Sequence, residues 1–180
     1  MNSARLSIQN YVLAKDGNRP YLLNSAFMPQ AVLDMVVNTG SISFPPHVEG
    51  LEGIAEVLVS RFGQTFENVY TFCLGRPPQA DAETFDCTWL VGMSDKSTGQ
   101  VRVGCGLYQW RFHGQSKRVE HLTITIEHME TLPASDLPAV LDWLSDLNYP
   151  WSNPEELARS APSLDALKPV LRYVLDGEAN

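Results

Sequence analysis

Two titratable side chains stand in stretches that are otherwise apolar and strand-like. Asp34 lies among alanine, valine, leucine and methionine in residues 31–37, where a buried carboxylate would need a partner. His128 has the same parity as Ile124 and Ile126, so the alternation of a strand places it on their face. A carboxylate or an imidazole within reach of a bound molecule can transfer protons. Both are therefore candidate acid–base groups; the alternatives are an outward ion pair for Asp34 and a structural role for His128.

Aromatic residues recur on one face of the longest predicted strand. Tyr108, Trp110 and Phe112 alternate along it, and Tyr70 and Trp89 belong to the two strands before it. Such a wall is typical of a hydrophobic core. As the lining of a pocket it would favour a flat apolar ligand such as a polyketide, a steroid or a terpenoid.

Motifs for several other chemistries are missing from the sequence. No two histidines have the H-x-x-x-H spacing of a metal site, and no serine stands in a G-x-S-x-G context. Gly104 and Gly106 lie inside a strand, so they indicate a kink or a close backbone approach and not a nucleotide site. The sequence therefore predicts no metal and no cofactor.

Composition narrows the class of protein further. The chain has 180 residues and a formal charge of −8, and its 13 basic residues are scattered, which argues against nucleic acid and anionic membranes as partners. Cys73, Cys87 and Cys105 lie in predicted strands, which indicates buried free thiols. No apolar run is long enough for a bilayer span or a signal peptide, so we expect a cytoplasmic protein.

Hydrophobic periodicity and turn residues predict the elements that position these residues. We expect two early helices, a strand hairpin, an amphipathic helix, four long strands and a helical tail. Their predicted ranges are 3–15 and 20–27 for the helices, 30–38 and 41–44 for the hairpin, 51–62 for the amphipathic helix, 69–74, 84–93, 101–113 and 118–130 for the strands, and everything after 132 for the tail.

Three runs carry a resemblance to a known superfamily: AVLDM at residues 31–35, VEGLEGI at 48–54 and LYQWRFHG at 107–114. In their order and spacing the chain resembles the nuclear transport factor 2-like superfamily, especially its SnoaL-like and ketosteroid-isomerase-like branches. The resemblance implies an α+β fold, in which a curved antiparallel sheet wraps around helices and forms a conical pocket. It covers a domain at residues 1–131 and leaves residues 132–180 as a helical C-terminal extension.

The resemblance also implies where a substrate oxygen would be held. The isomerases of this superfamily use a tyrosine of the first helix, which Tyr11 matches in the run QNYV, and a second position that falls on Tyr108. Their aspartate base falls on Met35, one residue after Asp34. The predicted catalytic residues are Tyr11, Asp34, Tyr108 and His128. The predicted pocket lining is Met35, His47, Tyr70, Trp89, Trp110 and Phe112.

The resemblance leaves several functions open. The first hypothesis is a cofactor-independent isomerase, dehydratase or cyclase that acts on a small apolar molecule by proton transfer. The alternatives are a non-catalytic ligand-binding or assembly module and the small subunit of an oxygenase; Met35 at the base position favours a non-catalytic role. Because the outer sheet face is only half polar, we expect a homodimer, with the chain's own tail as the alternative cover.

Overall fold

Ser3 begins the first helix, α1 (Ala4–Asp16), because its side chain accepts a hydrogen bond from the backbone N–H of Leu6. A computed structural model describes residues 2–177. A 3₁₀ helix (Pro20–Ser25) follows α1, and both pack on the concave side of the sheet through buried residues such as Ile8 and Leu23. The two early helices predicted from the sequence are confirmed.

In the described part of the chain, seven strands form one curved, unclosed sheet in the order β2-β1-β6-β5-β4-β3-β7. Their bounds are β1 (Phe27–Val37), β2 (His47–Glu49), β3 (Phe66–Leu74), β4 (Thr84–Asp95), β5 (Val101–Phe112), β6 (Val119–Leu132) and β7 (Trp151–Ser152). Neighbouring strands are antiparallel except for the pairs β1–β6 and β3–β7, so the sheet is mixed. The α+β fold is confirmed.

The hairpin predicted at residues 30–38 and 41–44 is wrong in its second strand, because residues 41–44 do not form a strand. The strand that pairs with β1 is β2, after the two prolines, and residues 38–46 form an irregular crossing segment. Hydrogen bonds from the Ser41 hydroxyl to the Met129 carbonyl and from the Arg102 guanidinium to the Ser41 carbonyl hold this segment in place. Ile42 and Phe44 then pack against the concave core and do not pair with a strand.

The amphipathic helix between β2 and β3 is present but is interrupted. It consists of α2 (Leu51–Ala55), a π-helical turn (Glu56–Ser60) and α3 (Arg61–Thr65). Ile54, Leu58 and Phe62 are buried as the periodicity predicts.

The segment after β6 packs on the outer, convex face of the sheet. It contains α4 (Leu137–Ser145), β7, α5 (Pro154–Ser160) and α6 (Lys168–Asp176). These elements form a second hydrophobic core with outward side chains of the central strands, for example between Trp143, Val170 and Cys105. The C-terminal segment therefore covers much of the face that a second copy of the chain was expected to cover. The homodimer and the boundary at residue 131 stay predictions.

An extra residue in β6 interrupts its pairing with β5. Cys105 lies opposite His128 and Gly106 opposite Ile126, so Glu127 has no partner in β5 and forms a bulge. An added Cβ on Gly106 would collide with the carbonyl oxygen of Thr125. Gly106 therefore permits the close backbone approach that the sequence indicated.

Candidate functional site

The concave face of the sheet and the helices enclose a small apolar cavity of about 30 Å³. Side chains from α1, β1, the crossing segment, the interrupted helix and strands β4 to β6 form its wall. The apolar part of that wall includes Met35, Phe44, Leu58, Trp89, Ile124 and Met129. This volume holds only one or two water-sized molecules.

Two tyrosine hydroxyls meet at the cavity. The Oη atoms of Tyr11 and Tyr108 lie 3.2 Å apart, and the side chains are buried, with 0% and 2% exposure. The ring of Trp110 packs 5.3 Å from each tyrosine ring and supports the pair from behind. Burial raises the pKa of both tyrosines, so both phenols are neutral at neutral pH. One hydroxyl donates to the other, which leaves one proton for a bound acceptor.

The Lys15 side chain lines the same cavity, and its amine belongs to a buried hydrogen-bond network. Its Nζ donates to Thr71 Oγ1 at 2.9 Å and lies 4.3 Å from the centre of the Phe62 ring. Asp16 Oδ1 is 3.8 Å from this amine, and the Lys15 and Asp16 side chains are only 9% and 6% exposed. Burial lowers the pKa of Lys15, and the nearby Asp16 carboxylate opposes that shift.

Three donors converge on the carboxylate of Asp16. The Thr71 hydroxyl donates to Oδ1, and the Thr71 backbone N–H and the Tyr149 hydroxyl donate to Oδ2, each at 2.7 Å. Burial raises the pKa of Asp16, whereas Lys15 and these hydrogen bonds lower it. Tyr149 comes from the segment between α4 and β7, so the C-terminal part of the chain takes part in this network.

The sequence indicates the position of Lys15 through helical spacing, although Lys15 belongs to none of the runs that carry the family resemblance. Residues four apart on a helix share a face, and Lys15 follows Tyr11 by four positions in α1. Once Tyr11 faces a cavity, Lys15 must point into the same space. No comparable signal exists for Thr71 or Tyr149, because only the folded sheet brings them to Asp16.

The predicted pocket residues separate into three locations. Met35 and Trp89 line the cavity, while Trp110 and Phe112 stack behind the tyrosine pair. Tyr70 lies outside it, because its place in β3 turns it to the convex face, where it packs edge-on against Tyr149.

Asp34 faces away from the cavity, because it alternates with the inward Met35. It joins two histidines on the outer surface: Oδ1 lies 2.6 Å from His47 Nδ1 and Oδ2 lies 2.7 Å from His121 Nε2. His47, expected in the pocket lining, is held here by its pairing with β1, and its second ring nitrogen contacts Glu49. Within residues 2–177, no group of three or more His, Cys, Asp or Glu side chains could hold a metal ion.

His128 also points away from the cavity, and its expected orientation is wrong. The bulge at Glu127 adds one residue after Ile126, so Met129 takes the inward position and His128 turns outward. Its ring packs edge-on against Tyr173 of α6, and Nδ1 is 4.0 Å from Glu130. A bulge cannot be recognised from alternation, because the alternation itself is what it breaks.

The surface cluster gives a pH prediction. Hydrogen bonds to Asp34 and then to Glu49 raise the pKa of His47, so the protonated ring contributes stability below about pH 6.5 and loses it as the pH rises through the raised value. We expect Asp34→Asn to move the NMR titration midpoint of His47 back toward its ordinary value. Val36→Ala, on the same strand face, should leave that midpoint unchanged. If Asp34→Asn also leaves the midpoint unchanged, the hydrogen bond between Asp34 and His47 is contradicted.

Solved structures share this arrangement of sheet and helices. A nuclear transport factor 2-like protein from Burkholderia thailandensis matches with a TM-score of 0.54 and 12% identity, over 70% of this chain and 92% of that one. The fold is that of the nuclear transport factor 2-like proteins. A Catenulispora acidiphila protein with a ketosteroid isomerase-like fold, in complex with trimethylamine, matches with a TM-score of 0.52 and 15% identity, over 66% and 82% of the two chains.

A Mycobacterium tuberculosis protein in complex with estradiol-17beta-hemisuccinate is similar in the same way, with a TM-score of 0.54 and 9% identity over 68% of this chain and 93% of that one. No family model matches the sequence, and no curated protein is similar enough to match. At these identities the likeness defines the fold alone. Within residues 2–177, no helix has the length and apolar character that a bilayer crossing requires.

Proposed function

We propose that this nuclear transport factor 2-like protein binds a small apolar molecule through one hydrogen-bond-accepting oxygen. The observation that carries the proposal is the Tyr11–Tyr108 hydroxyl pair, which is buried in an otherwise apolar cavity wall. A buried hydroxyl proton without an acceptor is unfavourable, so a ligand that supplies a carbonyl oxygen would satisfy it.

The other polar groups of the wall are also donors. Trp89 lines the cavity, and its indole Nε1–H is buried without a partner among the described residues. The Lys15 side chain also lines the wall, and its amine is a further donor, which already binds the Thr71 hydroxyl. The indole and the amine can only donate hydrogen bonds, which favours a ligand that accepts them, such as a ketone, over one that only donates them.

The size of the cavity limits the ligand. About 30 Å³ is far below the roughly 300 Å³ of ordinary small-molecule sites. A surface pocket of about 260 Å³ lies next to it, and Ile42, Phe44 and Phe62 line both spaces. If the Ile42 and Phe44 side chains move aside, the two spaces together reach the usual size. Without such a movement, the cavity favours a ligand much smaller than the steroid derivative bound by the Mycobacterium tuberculosis protein.

Proton transfer by the residues predicted for it does not fit this site. The Asp34 carboxylate and the His128 imidazole both lie on the outer face, and the described cavity wall contains neither a carboxylate nor an imidazole. This observation favours a ligand-binding module without catalysis over an isomerase, dehydratase or cyclase that depends on Asp34 and His128.

Binding of cyclohexanone, which fits once the Ile42 and Phe44 side chains move aside and join the two spaces, tests the proposal. We expect saturable binding in ligand-observed NMR and a lower carbonyl stretching frequency in the infrared spectrum of the bound ketone. Tyr108→Phe removes one hydroxyl, and a hydrogen bond contributes about 1 kcal/mol, so the affinity should fall about fivefold. The infrared shift should shrink with it.

Two comparisons make this test specific. Cyclohexane, which has the same ring and no oxygen, should bind more weakly to the unaltered protein and should not distinguish it from Tyr108→Phe. Phe44→Ala keeps both hydroxyls and opens the wall toward the surface pocket, so it should bind the ketone at least as well. Equal binding of ketone and hydrocarbon, or none of either, would reject the proposal.

A further inference from the structure

Lys15 is a buried amine whose closest polar partners are Thr71 and Asp16 and not the tyrosine pair. Its side chain lines the cavity to which Tyr11 and Tyr108 also contribute, and it is only 9% exposed. An amine in apolar surroundings loses the solvation that favours its charged form, which is how lysine nucleophiles are activated. Only a neutral amine has the lone pair that attacks a carbonyl carbon.

A hydrogen-bonded path leads from this amine to an acceptor for its proton. Thr71 Oγ1 accepts from Lys15 Nζ at 2.9 Å and donates to Asp16 Oδ1 at 2.7 Å, so every bond points from the amine toward the carboxylate. When Thr71 takes a proton from Lys15, it passes its own proton to Asp16. The buried pair then becomes an amine and a carboxylic acid, both neutral, which avoids isolated charges in the interior.

We propose that Lys15 is a nucleophile that forms a reversible imine with the carbonyl group of a small apolar aldehyde or ketone. This inference rests on the proposed function, because the Tyr11–Tyr108 pair must hold the carbonyl oxygen while the amine attacks the carbon. It adds a covalent step to a site that otherwise only binds.

The step balances without any further reactant. The nitrogen lone pair forms a bond to the carbonyl carbon, and the electron pair of the C=O double bond moves to the oxygen, which takes a proton from the tyrosine pair. The N–H proton restores the tyrosine hydroxyl. Loss of the remaining N–H proton and the hydroxyl group as water leaves the C=N bond, so an amine and a carbonyl compound give an imine and water.

Reductive trapping of the whole protein tests this step. We would incubate it with propanal and sodium cyanoborohydride at pH 7 and identify the alkylated lysines by peptide mass spectrometry over time. Lys15 should be alkylated at least tenfold faster than Lys168, whose side chain is 71% exposed, and its rate should saturate with propanal concentration. A buried amine without this role should react more slowly than an exposed one.

Substitutions of Thr71 separate the relay from simple access to the cavity. Thr71→Val keeps the branched shape but breaks the path to Asp16, so alkylation of Lys15 should fall at least tenfold while Lys168 is unaffected. Thr71→Ser retains the hydroxyl and should keep most of the rate. If the valine variant does not fold, the serine variant and the unaltered protein still give the decisive comparison between Lys15 and Lys168.

The binding test and the trapping test distinguish failure of the inference from failure of the proposed function. If cyclohexanone binds but Lys15 reacts no faster than Lys168, the inference is wrong and the proposed binding function stands. If no ketone binds and Lys15 is not alkylated, both fail.

Discussion

Replacing Gly106 with alanine is expected to destabilise the protein by about 3 kcal/mol or more, which is a decrease in melting temperature of roughly 10 °C. The new Cβ would collide with the Thr125 carbonyl oxygen, which belongs to the backbone of the neighbouring strand. Relief requires β5 and β6 to separate at the bulge, and these two strands lie in the middle of the sheet. Thermal unfolding followed by circular dichroism measures the effect.

Gly114 provides the matched control for this substitution. It lies in the turn between the same two strands, and an added Cβ there would meet nothing within 4 Å. Gly114→Ala should therefore change the melting temperature by little. Equal melting temperatures for the two variants would show that the strands do not approach each other as closely at Gly106 as described.

Removal of the buried carboxylate should have an effect of similar size. Asp16→Ala leaves the buried Lys15 without its acidic partner, and it leaves the donors of the buried Thr71 and of the partly exposed Tyr149 without an acceptor. Breaking a buried pair in this way costs about 3–5 kcal/mol. Chemical denaturation of the variant, with the free energy of unfolding extrapolated to water, measures the loss.

An exposed ion pair of the same chain gives the comparison. Lys168 and Asp165 lie 2.7 Å apart with both side chains mostly in solvent, so Asp165→Ala should change the free energy of unfolding by less than about 1 kcal/mol. Adding Lys15→Met to Asp16→Ala should recover part of the loss, because the orphaned amine is then removed. If the Asp16 variant is no less stable than the Asp165 variant, the network does not contribute as described.

The sequence predicted the elements of this protein better than the positions of its acid–base groups. Helical and strand periodicity are properties of consecutive residues, so α1 and the long strands could be found without tertiary information. The tyrosine pair was found through a resemblance in order and spacing, and the structure brings both hydroxyls together.

The wrong predictions arose where a local irregularity of the backbone changes the orientation or the pairing of the residues that follow it. Alternation assigned His128 to the inner face, but a single extra residue at Glu127 reversed the assignment for the end of β6. Likewise, the strand that pairs with β1 begins at His47, after the two prolines and not before them. The Lys15–Thr71–Asp16–Tyr149 network joins residues up to 133 positions apart, and no pattern of neighbouring residues encodes such a contact.

The C-terminal cover of the convex face changes how that face gains its stability. Where a second molecule covers a sheet, the protection obeys mass action and weakens as the protein is diluted. Here α4 and α6 are tethered to the strands they cover, so their local concentration is fixed by the length of the chain. Burial of Phe72, Leu90 and Val103 therefore persists in a single molecule at any dilution.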